Sequence, residues 1–362
     1  MKQKLRVGVL GATGMVGQRY VSLLANHPFF EVTCVAASPK SAGQSYREAV
    51  ANRWRMEARL DEAIGQLPVL DASDVEAVAK EVDFVFSAVN MAKEDVQKLE
   101  LAYAKHDIPV ISNNSAHRWT NDVPMIIPEI NPQHAKIIDC QRKHLHVKKG
   151  FIAVKPNCSI QSYTPALAAW QQFEPTQVVA TTYQAISGAG KTFKEWPEMQ
   201  GNIIPYIAGE EEKSETEPLK ILGYLDEKEQ SIKPATSPLI TTQCLRVPVL
   251  YGHTAACFIN FKQKPTKEAL VEALINYQGP VDLTDLPSAP KHFIQYLTED
   301  DRPQVRLDVA YEKGMGVSIG RLRPDKLFDW KFIGLSHNTA RGAAGGAIEC
   351  AELLVKLGYL TK

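Results

Sequence analysis

The chain has 362 residues, and a chain of this length usually forms two domains instead of one core. Its 41 basic residues balance 41 acidic residues, so it lacks the net charge typical of proteins that bind nucleic acid or anionic membranes. No apolar run is long enough for a membrane span, and the six cysteines show neither a C-x-x-C pair nor zinc-ligand spacing. We therefore expect a cytoplasmic protein with free thiols, no bound metal, no nucleic acid and no membrane partner.

In the first half of the chain, strand patterns alternate with helix patterns. Buried apolar runs predict strands at residues 5–10, 32–37, 84–89 and 110–112, and a helix is predicted at 94–105. This alternation is typical of a parallel, doubly wound α/β sheet of the Rossmann type.

A glycine-rich turn lies between the first strand and the first helix pattern. Its spacing, G-x-x-G-x-x-G, departs from the commoner G-x-G-x-x-G, but its position favours dinucleotide binding. Glycines in such a turn let the backbone approach a pyrophosphate that rests on the helix N-terminus. The residues predicted to contact the cofactor here are Gly11, Thr13, Gly14, Met15 and Val16.

The end of the second strand indicates which dinucleotide binds. An acidic residue at this place would hold the ribose hydroxyls of NAD, but the chain has Ser38, Lys40 and Ser41 and no carboxylate. Hydroxyl groups and a cation suit a 2′-phosphate, so NADP is favoured. The alternative is an ordinary polar turn.

One thiol occupies a distinctive position near the middle of the chain. The run K-P-N-C-S places Cys158 between a predicted strand at 151–154 and a helical pattern at 159–173. Pro165 interrupts this pattern and predicts a kink or a late helix start. At a helix N-terminus, free N–H groups and the helix dipole favour a thiolate, so Cys158 is a candidate nucleophile. The alternative is a buried cysteine that fills the core.

After Cys158 the pattern changes to longer strands with few crossover helices. This arrangement favours a mixed or largely antiparallel sheet with helices on one face. Strands are predicted at 177–183, 243–248, 254–262, 305–310, 316–322 and 330–335, a small-residue loop at 184–190, a helix near 267–277, and a charged, helix-favouring stretch at 191–230. We place an NADP-binding domain at 1–155 and a catalytic and dimerisation domain at 156–339, with a helix within 340–362 that returns to the first domain.

Several motifs occur together in the order and spacing of one known family. They are residues 11–17, Ser115 with Arg118, 156–159, 184–190, 246–253 and 338–346. The chain resembles aspartate-semialdehyde dehydrogenases over essentially its whole length, and residues 123–132 and 204–213 are more similar to the archaeal and fungal branch. The resemblance implies a fold related to glyceraldehyde-3-phosphate dehydrogenase and a homodimer or homotetramer.

The implied reaction is the NADPH-dependent reductive dephosphorylation of aspartyl-4-phosphate to aspartate 4-semialdehyde, a step towards lysine, methionine and threonine. By resemblance, Cys158 attacks the acyl phosphate and forms a thioester. His253 matches the acid/base residue, whose imidazole titrates near neutral pH and exchanges a proton with the thiol and the hemithioacetal oxygen. Gln184 matches the residue that orients the thioester, and backbone N–H groups near Cys158 would stabilise the oxyanion.

The resemblance also assigns substrate contacts. Arg246 matches the residue that binds the α-carboxylate, because a guanidinium can bind a carboxylate with two hydrogen bonds. Glu217 and Lys220 match a pair that binds the amino group and the phosphate. Glu210 competes for the acidic role, and the acidic run is also typical of a solvated helix face.

Arg118, with Asn114 nearby, matches the phosphate site. Lys155 departs from the family pattern, since Asn is common there; it would lower the pKa of the thiol further or point to solvent. The remaining cofactor contacts implied by the resemblance are Ser87, Ser187, Gly188, Asn338 and Thr339.

Three other functions stay open. Malonyl-CoA reductase and N-acetylglutamyl-phosphate reductase use similar chemistry on substrates without an α-ammonium, and an acidic residue near Glu217 favours the amino-acid substrate. A non-catalytic NADP-binding regulator would have no reason to keep Cys158, Gln184, Arg246 and His253 together.

Overall fold

A computed structural model describes residues 3–362; residues 1 and 2, part of the predicted first domain, lie outside the described residues. Six parallel strands form a first sheet in the order β3-β2-β1-β4-β5-β6. Its elements are β1 Leu5–Leu10, α1 Met15–Leu24, β2 Phe30–Ala37, α2 Tyr46–Val50, α3 Glu62–Gln66, β3 Val69–Asp71, α4 Val75–Glu81, β4 Phe84–Ser87, α5 Lys93–Lys105, β5 Val110–Ser112, α6 Ile138–Leu145 and β6 Ile152–Val154.

Both faces of the first sheet are covered, which is why its strands are apolar throughout. Val85 of β4 packs with α4 and α5 on one face, whereas Phe84 and Phe86 pack with α1 and α2 on the other. Side chains alternate between the faces of a strand, so each strand contributes to two cores. The predicted doubly wound sheet is therefore confirmed.

A second six-stranded sheet has the order β10-β7-β11-β14-β13-β12. Strands β7 and β10 are parallel, as are β12 and β13, and the other neighbours are antiparallel, so the predicted mixed sheet is also confirmed. Its elements, with a small hairpin, are α7 Thr164–Ala169, β7 Pro175–Gln184, α8 Glu210–Ile221, β8 Tyr224–Asp226, β9 Ser231–Lys233, β10 Leu239–Arg246, β11 His253–Phe261, α9 Lys267–Ile275, β12 Ile294–Leu297, α10 Val305–Asp308, β13 Val317–Pro324, β14 Trp330–Ser336 and α11 Gly345–Lys356.

Two local predictions are wrong. The strand predicted at 305–310 is instead the short helix α10, and Val305 and the following C-cap residue Val309, four residues apart, both approach Gly252. The predicted helical stretch at 191–230 is helical mainly over Glu210–Ile221. Gly201 and Gly209 in this stretch have positive φ angles, a conformation that interrupts a helix. Regular α-helix therefore begins only at α8.

Pro165 produces a late helix start, as predicted. A 3₁₀ helix at Ser159–Ser162 precedes α7, and the proline lies in the first turn of α7, where its missing N–H costs no hydrogen bond. At the other end of the chain, α11 follows a π-helical turn at Ala340–Ala344 and shares a core with strands β1 and β4 of the first sheet. No helix among residues 3–362 is long and apolar enough to cross a membrane.

Candidate functional site

The topology of the second sheet collects three of the predicted residues at one end. Gln184 and Arg246 are the last residues of the parallel strands β7 and β10, and they are paired in register. His253 is the first residue of β11, which runs antiparallel to β7. All three are buried, so the sheet presents an amide, a guanidinium and an imidazole at one edge.

Cys158 approaches this end of the second sheet from the side of the first sheet. It follows β6 and precedes the 3₁₀ helix, and its Sγ lies 3.4 Å from His253 Nε2. Among residues 3–362, no acceptor is recorded for the backbone N–H of Cys158, which leaves that N–H available to an oxyanion. The structure thus brings the predicted nucleophile and the predicted imidazole together.

The expectation that the helix N-terminus lowers the pKa of Cys158 is wrong for this structure. Burial raises the pKa of the thiol, and the Glu210 charge raises it further. The charges of Lys155 and Arg118 act in the opposite direction. The following helix is a four-residue 3₁₀ turn, and so short a helix has little dipole to oppose desolvation.

His253 does not titrate near neutral pH in this environment. Burial lowers its pKa to about 3, and the nearby Arg246 charge contributes to the decrease. Its Nδ1 accepts a hydrogen bond of 3.0 Å from the backbone N–H of Ala185. In the neutral ring the hydrogen therefore resides on Nε2, which faces Cys158.

Two carboxylates of α8, seven residues apart in sequence, bind the turn that carries Cys158. Glu217 Oε1 accepts from Arg118 Nη1 at 2.8 Å and its Oε2 accepts from the Asn157 N–H at 2.6 Å. Glu210 accepts from Asn157 Nδ2 at 2.9 Å and from Gln184 Nε2 at 3.3 Å. Both residues are buried, which excludes the solvated-face interpretation for these two, whereas Glu212 in the same run is exposed.

Glu210 stays ionised despite its burial. Burial raises its pKa, but the charge of Lys213 and the hydrogen bonds from Lys213 and Asn157 outweigh this effect and lower the pKa overall. Asn157, which was not predicted as a site residue, connects both carboxylates to the cysteine turn. Its position immediately before Cys158 was the available signal.

The cations predicted to bind phosphate are engaged with protein atoms. Lys220 Nζ donates to the carbonyls of Arg118 and Val123 at 2.6 and 3.1 Å, and burial lowers its pKa to about 8. Arg118 donates to Glu217 and to the Lys155 carbonyl. Through these contacts Lys220 and Arg118 stabilise the protein segments next to the site.

Two other predicted substrate contacts differ in how many of their hydrogen-bond donors are already used within the protein. Arg246 Nη1 donates to the Ala185 carbonyl at 2.7 Å, and among residues 3–362 no acceptor is recorded for its other nitrogens. Asn114 Nδ2 donates to Ser87 Oγ at 3.1 Å and to Glu100 Oε1 at 3.0 Å. Arg246 thus retains donors for a carboxylate, whereas the Asn114 amide is already bound.

The glycine turn has the shape that a dinucleotide requires. Gly11 has φ +79°, and a Cβ there would lie 2.5 Å from the Ala88 carbonyl oxygen. Gly14 is the N-cap of α1 and supplies no side-chain cap, so the first N–H groups of α1 remain open. Thr13, Gly14, Met15 and Val16 are accessible at this N-terminus.

At the end of β2, Ser38 and Lys40 are exposed and Ser41 is buried. Arg53 Nη2 lies 3.4 Å from Ser41 Oγ, so a second cation stands beside the residues predicted to contact the 2′-phosphate. Arg53 was not predicted, because it lies in the connection after α2, where no periodic pattern marks it. This cluster fits an anionic 2′-phosphate.

Four of the other predicted cofactor contacts lie near His253, whereas the fifth, Ser87, is the buried last residue of β4. Asn338 Nδ2 donates to Ser187 Oγ at 2.8 Å, and Asn338 Oδ1 accepts from the Gly252 N–H at 2.9 Å. A Cβ at Gly188 would lie 3.2 Å from His253 Nε2. Thr339 is buried next to Asn338. The loop can pass this close to the imidazole because glycine at position 188 has no side chain.

Comparison with known proteins places this geometry in a family. Residues 6–138 match the NAD binding domain of semialdehyde dehydrogenases, and residues 166–341 match the semialdehyde dehydrogenase dimerisation domain. Aspartate-semialdehyde dehydrogenase of Aspergillus fumigatus is 40% identical over 364 residues, covering 99% of both chains. The enzyme of Methanothermobacter thermautotrophicus is 40% identical over 353 residues, covering 97% of this chain and 99% of that one.

Solved structures agree with the sequence relatives. The crystal structure of aspartate semialdehyde dehydrogenase with NADP from Candida albicans has a TM-score of 0.87 and 35% identity, covering 99% of this chain and 100% of that one. Aspartate semialdehyde dehydrogenase II from Vibrio cholerae has a TM-score of 0.74 and 25% identity, covering 98% and 99%. Fungal and archaeal relatives at this similarity confirm the predicted branch, and the chain belongs to the aspartate-semialdehyde dehydrogenase family.

Proposed function

We propose that this enzyme reduces L-aspartyl-4-phosphate to L-aspartate 4-semialdehyde, with NADPH as reductant and phosphate as the second product. The observation that carries the proposal is the 3.4 Å contact between Cys158 Sγ and His253 Nε2 at the sheet edge that also presents Arg246. A thiol, a proton-bearing imidazole and a guanidinium with open donors suit an acyl phosphate that carries an α-carboxylate.

Substrate orientation follows from the charges at this edge. Arg246 binds the α-carboxylate, and Glu210 binds the α-ammonium because it faces Gln184, whereas Glu217 is held by Arg118 and the Asn157 backbone. Glu210 therefore takes the acidic role that the sequence left open between the two residues. An anion for an α-ammonium favours the amino-acid substrate over malonyl-CoA or an N-acetylated acyl phosphate.

The chemistry proceeds in two parts. The thiolate of Cys158 attacks the acyl carbon, the C–O bond to phosphate breaks, and a thioester forms. The glycine turn at Gly11 and Gly14 and the Ser187–Gly188 loop would hold NADPH, which would supply a hydride to that carbon. The C–S bond then breaks and releases the aldehyde and the thiolate. One proton is consumed overall: the phosphate leaves with the proton that the thiol gives up, and the released thiolate takes one from water.

His253 acts in this scheme as a neutral hydrogen-bond donor. Its Nε2–H first points at the thiolate and then at the oxygen that gains negative charge, together with the Cys158 N–H. A neutral imidazole whose pKa is lowered by burial can polarise an oxygen in this way across the physiological pH range. Gln184 orients the thioester beside Glu210.

The domain division at 1–155 and 156–339, with the C-terminal segment 340–362 against the first sheet, forms part of this proposal.

A cytoplasmic homodimer is also part of this proposal. The outer face of β7, β10 and β11 carries apolar side chains, including Tyr183 and Leu239, which are 38% and 71% exposed. Apolar patches of this kind suit a second copy of the chain. Sedimentation of the unmodified protein distinguishes a dimer from a tetramer or a monomer. Sedimentation of Tyr183→Glu tests whether this face is the interface.

Steady-state kinetics test the proposed reaction. Purified protein should reduce NADP with aspartate semialdehyde only when phosphate is present, since phosphate releases the thioester as acyl phosphate in this direction. Cys158→Ala should abolish turnover and retain NADPH binding, whereas the matched Cys140→Ala in α6 should retain activity. Turnover with malonyl-CoA and none with the semialdehyde would refute the substrate assignment.

A further inference from the structure

The loop beside His253 is fixed at its start but not by its own residues at its end. A Cβ at Gly188 would lie 3.2 Å from His253 Nε2, so this loop borders the imidazole. The preceding residue, Ser187, accepts a hydrogen bond of 2.8 Å from Asn338 Nδ2. At Gly190 the 3₁₀ turn ends with φ +69°, and a Cβ there would meet no described atom within 4 Å. The position of this end therefore depends on contacts from elsewhere in the chain.

Arg55, in the connection after α2, supplies these contacts. Its Nη1 donates to the Gly190 carbonyl at 3.0 Å, and its Nη2 forms an ion pair with Glu195 Oε1. Glu195 is fixed locally, because its Oε2 accepts from the N–H and the hydroxyl of Thr192, both at 3.0 Å. The side chains of Arg55 and Glu195 are 26% and 37% exposed, so solvent screens the pair only in part.

The segment that carries Arg55 is anchored at the glycine turn. Gln18 of α1 is buried, and its Nε2 donates to the carbonyls of Thr13 and Arg53 at 3.0 and 2.9 Å. Gln18 Oε1 accepts from the Arg55 N–H at 2.9 Å. Thr13 belongs to the turn that suits a pyrophosphate, and Arg53 lies beside Ser41, where the 2′-phosphate is expected. One buried amide thus fixes Arg55 relative to the two anionic parts of the cofactor.

We propose that Arg55 and Glu195 are a positioning pair for the nicotinamide end of the cofactor. The pair joins segments 140 residues apart in sequence and holds the loop at Gly188 in place before the cofactor binds. A loop that is already ordered loses less conformational entropy on binding, so the pair increases the affinity for the nicotinamide end. The inference rests on the proposed function in taking this loop as the nicotinamide contact.

Equilibrium binding of two ligands, measured by isothermal titration calorimetry, tests the proposal. NADPH spans the whole site, whereas adenosine 2′,5′-bisphosphate reproduces the adenosine end and has no nicotinamide. Arg55→Gln should weaken NADPH binding about three- to tenfold and leave the binding of the bisphosphate unchanged, since it removes contacts to the loop alone. Arg53→Gln should weaken the binding of both ligands. Equal losses for both ligands in Arg55→Gln, or no loss of NADPH affinity, would overturn the proposal.

Glu195→Gln is a second variant, and it leaves the segment around Arg55 intact. It keeps an acceptor for Thr192 and should weaken NADPH binding about two- to fivefold. The double variant should bind NADPH no more weakly than Arg55→Gln alone, because both side chains act through one contact. Losses that multiply in the double variant would mean two independent effects and would also overturn the proposal.

The matched control is Arg47→Gln, which removes the exposed ion pair between Arg47 and Glu62 in the same part of the chain. This variant should change neither affinity. Retained binding of the bisphosphate in Arg55→Gln also shows that the variant is folded. None of these measurements requires turnover, so a failure of the proposed reaction would be seen separately in the kinetics.

Discussion

Neutralising Glu210 should remove the preference of the enzyme for a substrate with an α-ammonium. Glu210→Gln keeps the size of the side chain and an oxygen that can accept from Asn157 Nδ2, which lies 2.9 Å from Oε2 in the unmodified protein. It removes the charge that would face the substrate amino group. Lys213, which also donates to Glu210, has a side chain 32% exposed and can be solvated when its partner is neutral.

The expected effect follows from the type of bond lost. A hydrogen bond to a charged group contributes about 1.5–3 kcal/mol, which corresponds to a decrease in kcat/KM of about tenfold to 150-fold. Succinic semialdehyde, which lacks the amino group, should be affected little by the same substitution. The ratio of the two kcat/KM values should therefore approach one in the variant.

The assay compares both aldehydes with NADP and phosphate for the unmodified enzyme, Glu210→Gln and the exposed control Glu212→Gln. Glu217→Gln should behave differently: it leaves the buried Arg118 guanidinium without its partner, costs about 3–5 kcal/mol of stability and lowers Tm. The assignment of Glu210 is wrong if Glu210→Gln keeps the preference of the unmodified enzyme for aspartate semialdehyde.

Three further changes test other parts of the site. Gly188→Ala places a Cβ 2.9 Å from Arg246 Nη1 and should lower kcat/KM at least about tenfold in the steady-state assay. Arg53→Gln should raise KM for NADP about tenfold and leave KM for NAD unchanged, because it removes the cation beside Ser41. His253 has a pKa of about 3 when folded, so between that pH and 6.5 the unfolded chain binds a proton that the folded chain lacks. Denaturant unfolding of His253→Gln should therefore show less loss of stability below pH 6.5, by up to ~1.4 kcal/mol per pH unit.

The first sheet was largely predictable because its strands are continuous apolar runs and its turn carries glycines. The predicted strands at 5–10 and 110–112 coincide with β1 and β5, and the helix predicted at 94–105 differs from α5 by one residue. The three-residue strand β3 was missed although β5 is equally short: β3 lies at the edge of the sheet and ends in Asp71, so it is less completely buried than β5. The strand predicted at 305–310 failed because β-branched residues four apart also fit a helix face.

The protonation of the site was not predictable from local sequence. The bond that selects the His253 tautomer joins residues 68 positions apart, and the pair between Arg118 and Glu217 joins residues 99 apart. Sequence around Cys158 indicated a helix N-terminus and hence a lower pKa, but burial is a property of the whole fold and has the larger effect. Family resemblance supplied the candidate residues, but the protonation expected of them, a thiol with a lowered pKa and an imidazole that titrates near neutral pH, differs from that in the folded site.

The glycines near the C-terminus explain why the segment 338–346 belongs to the site although it lies far from Cys158 in sequence. Asn338 links the Ser187 hydroxyl to the Gly252 N–H, and so fixes the loop beside His253. Four residues later, Gly342 lets the chain pass within contact of Cys158, where a side chain would collide with its Cβ. One segment thus positions the imidazole and packs against Cys158, which remains partly buried. A short connection between β14 and α11 with a glycine at position 342 therefore suits the proposed chemistry as well as the return of the chain to the first sheet.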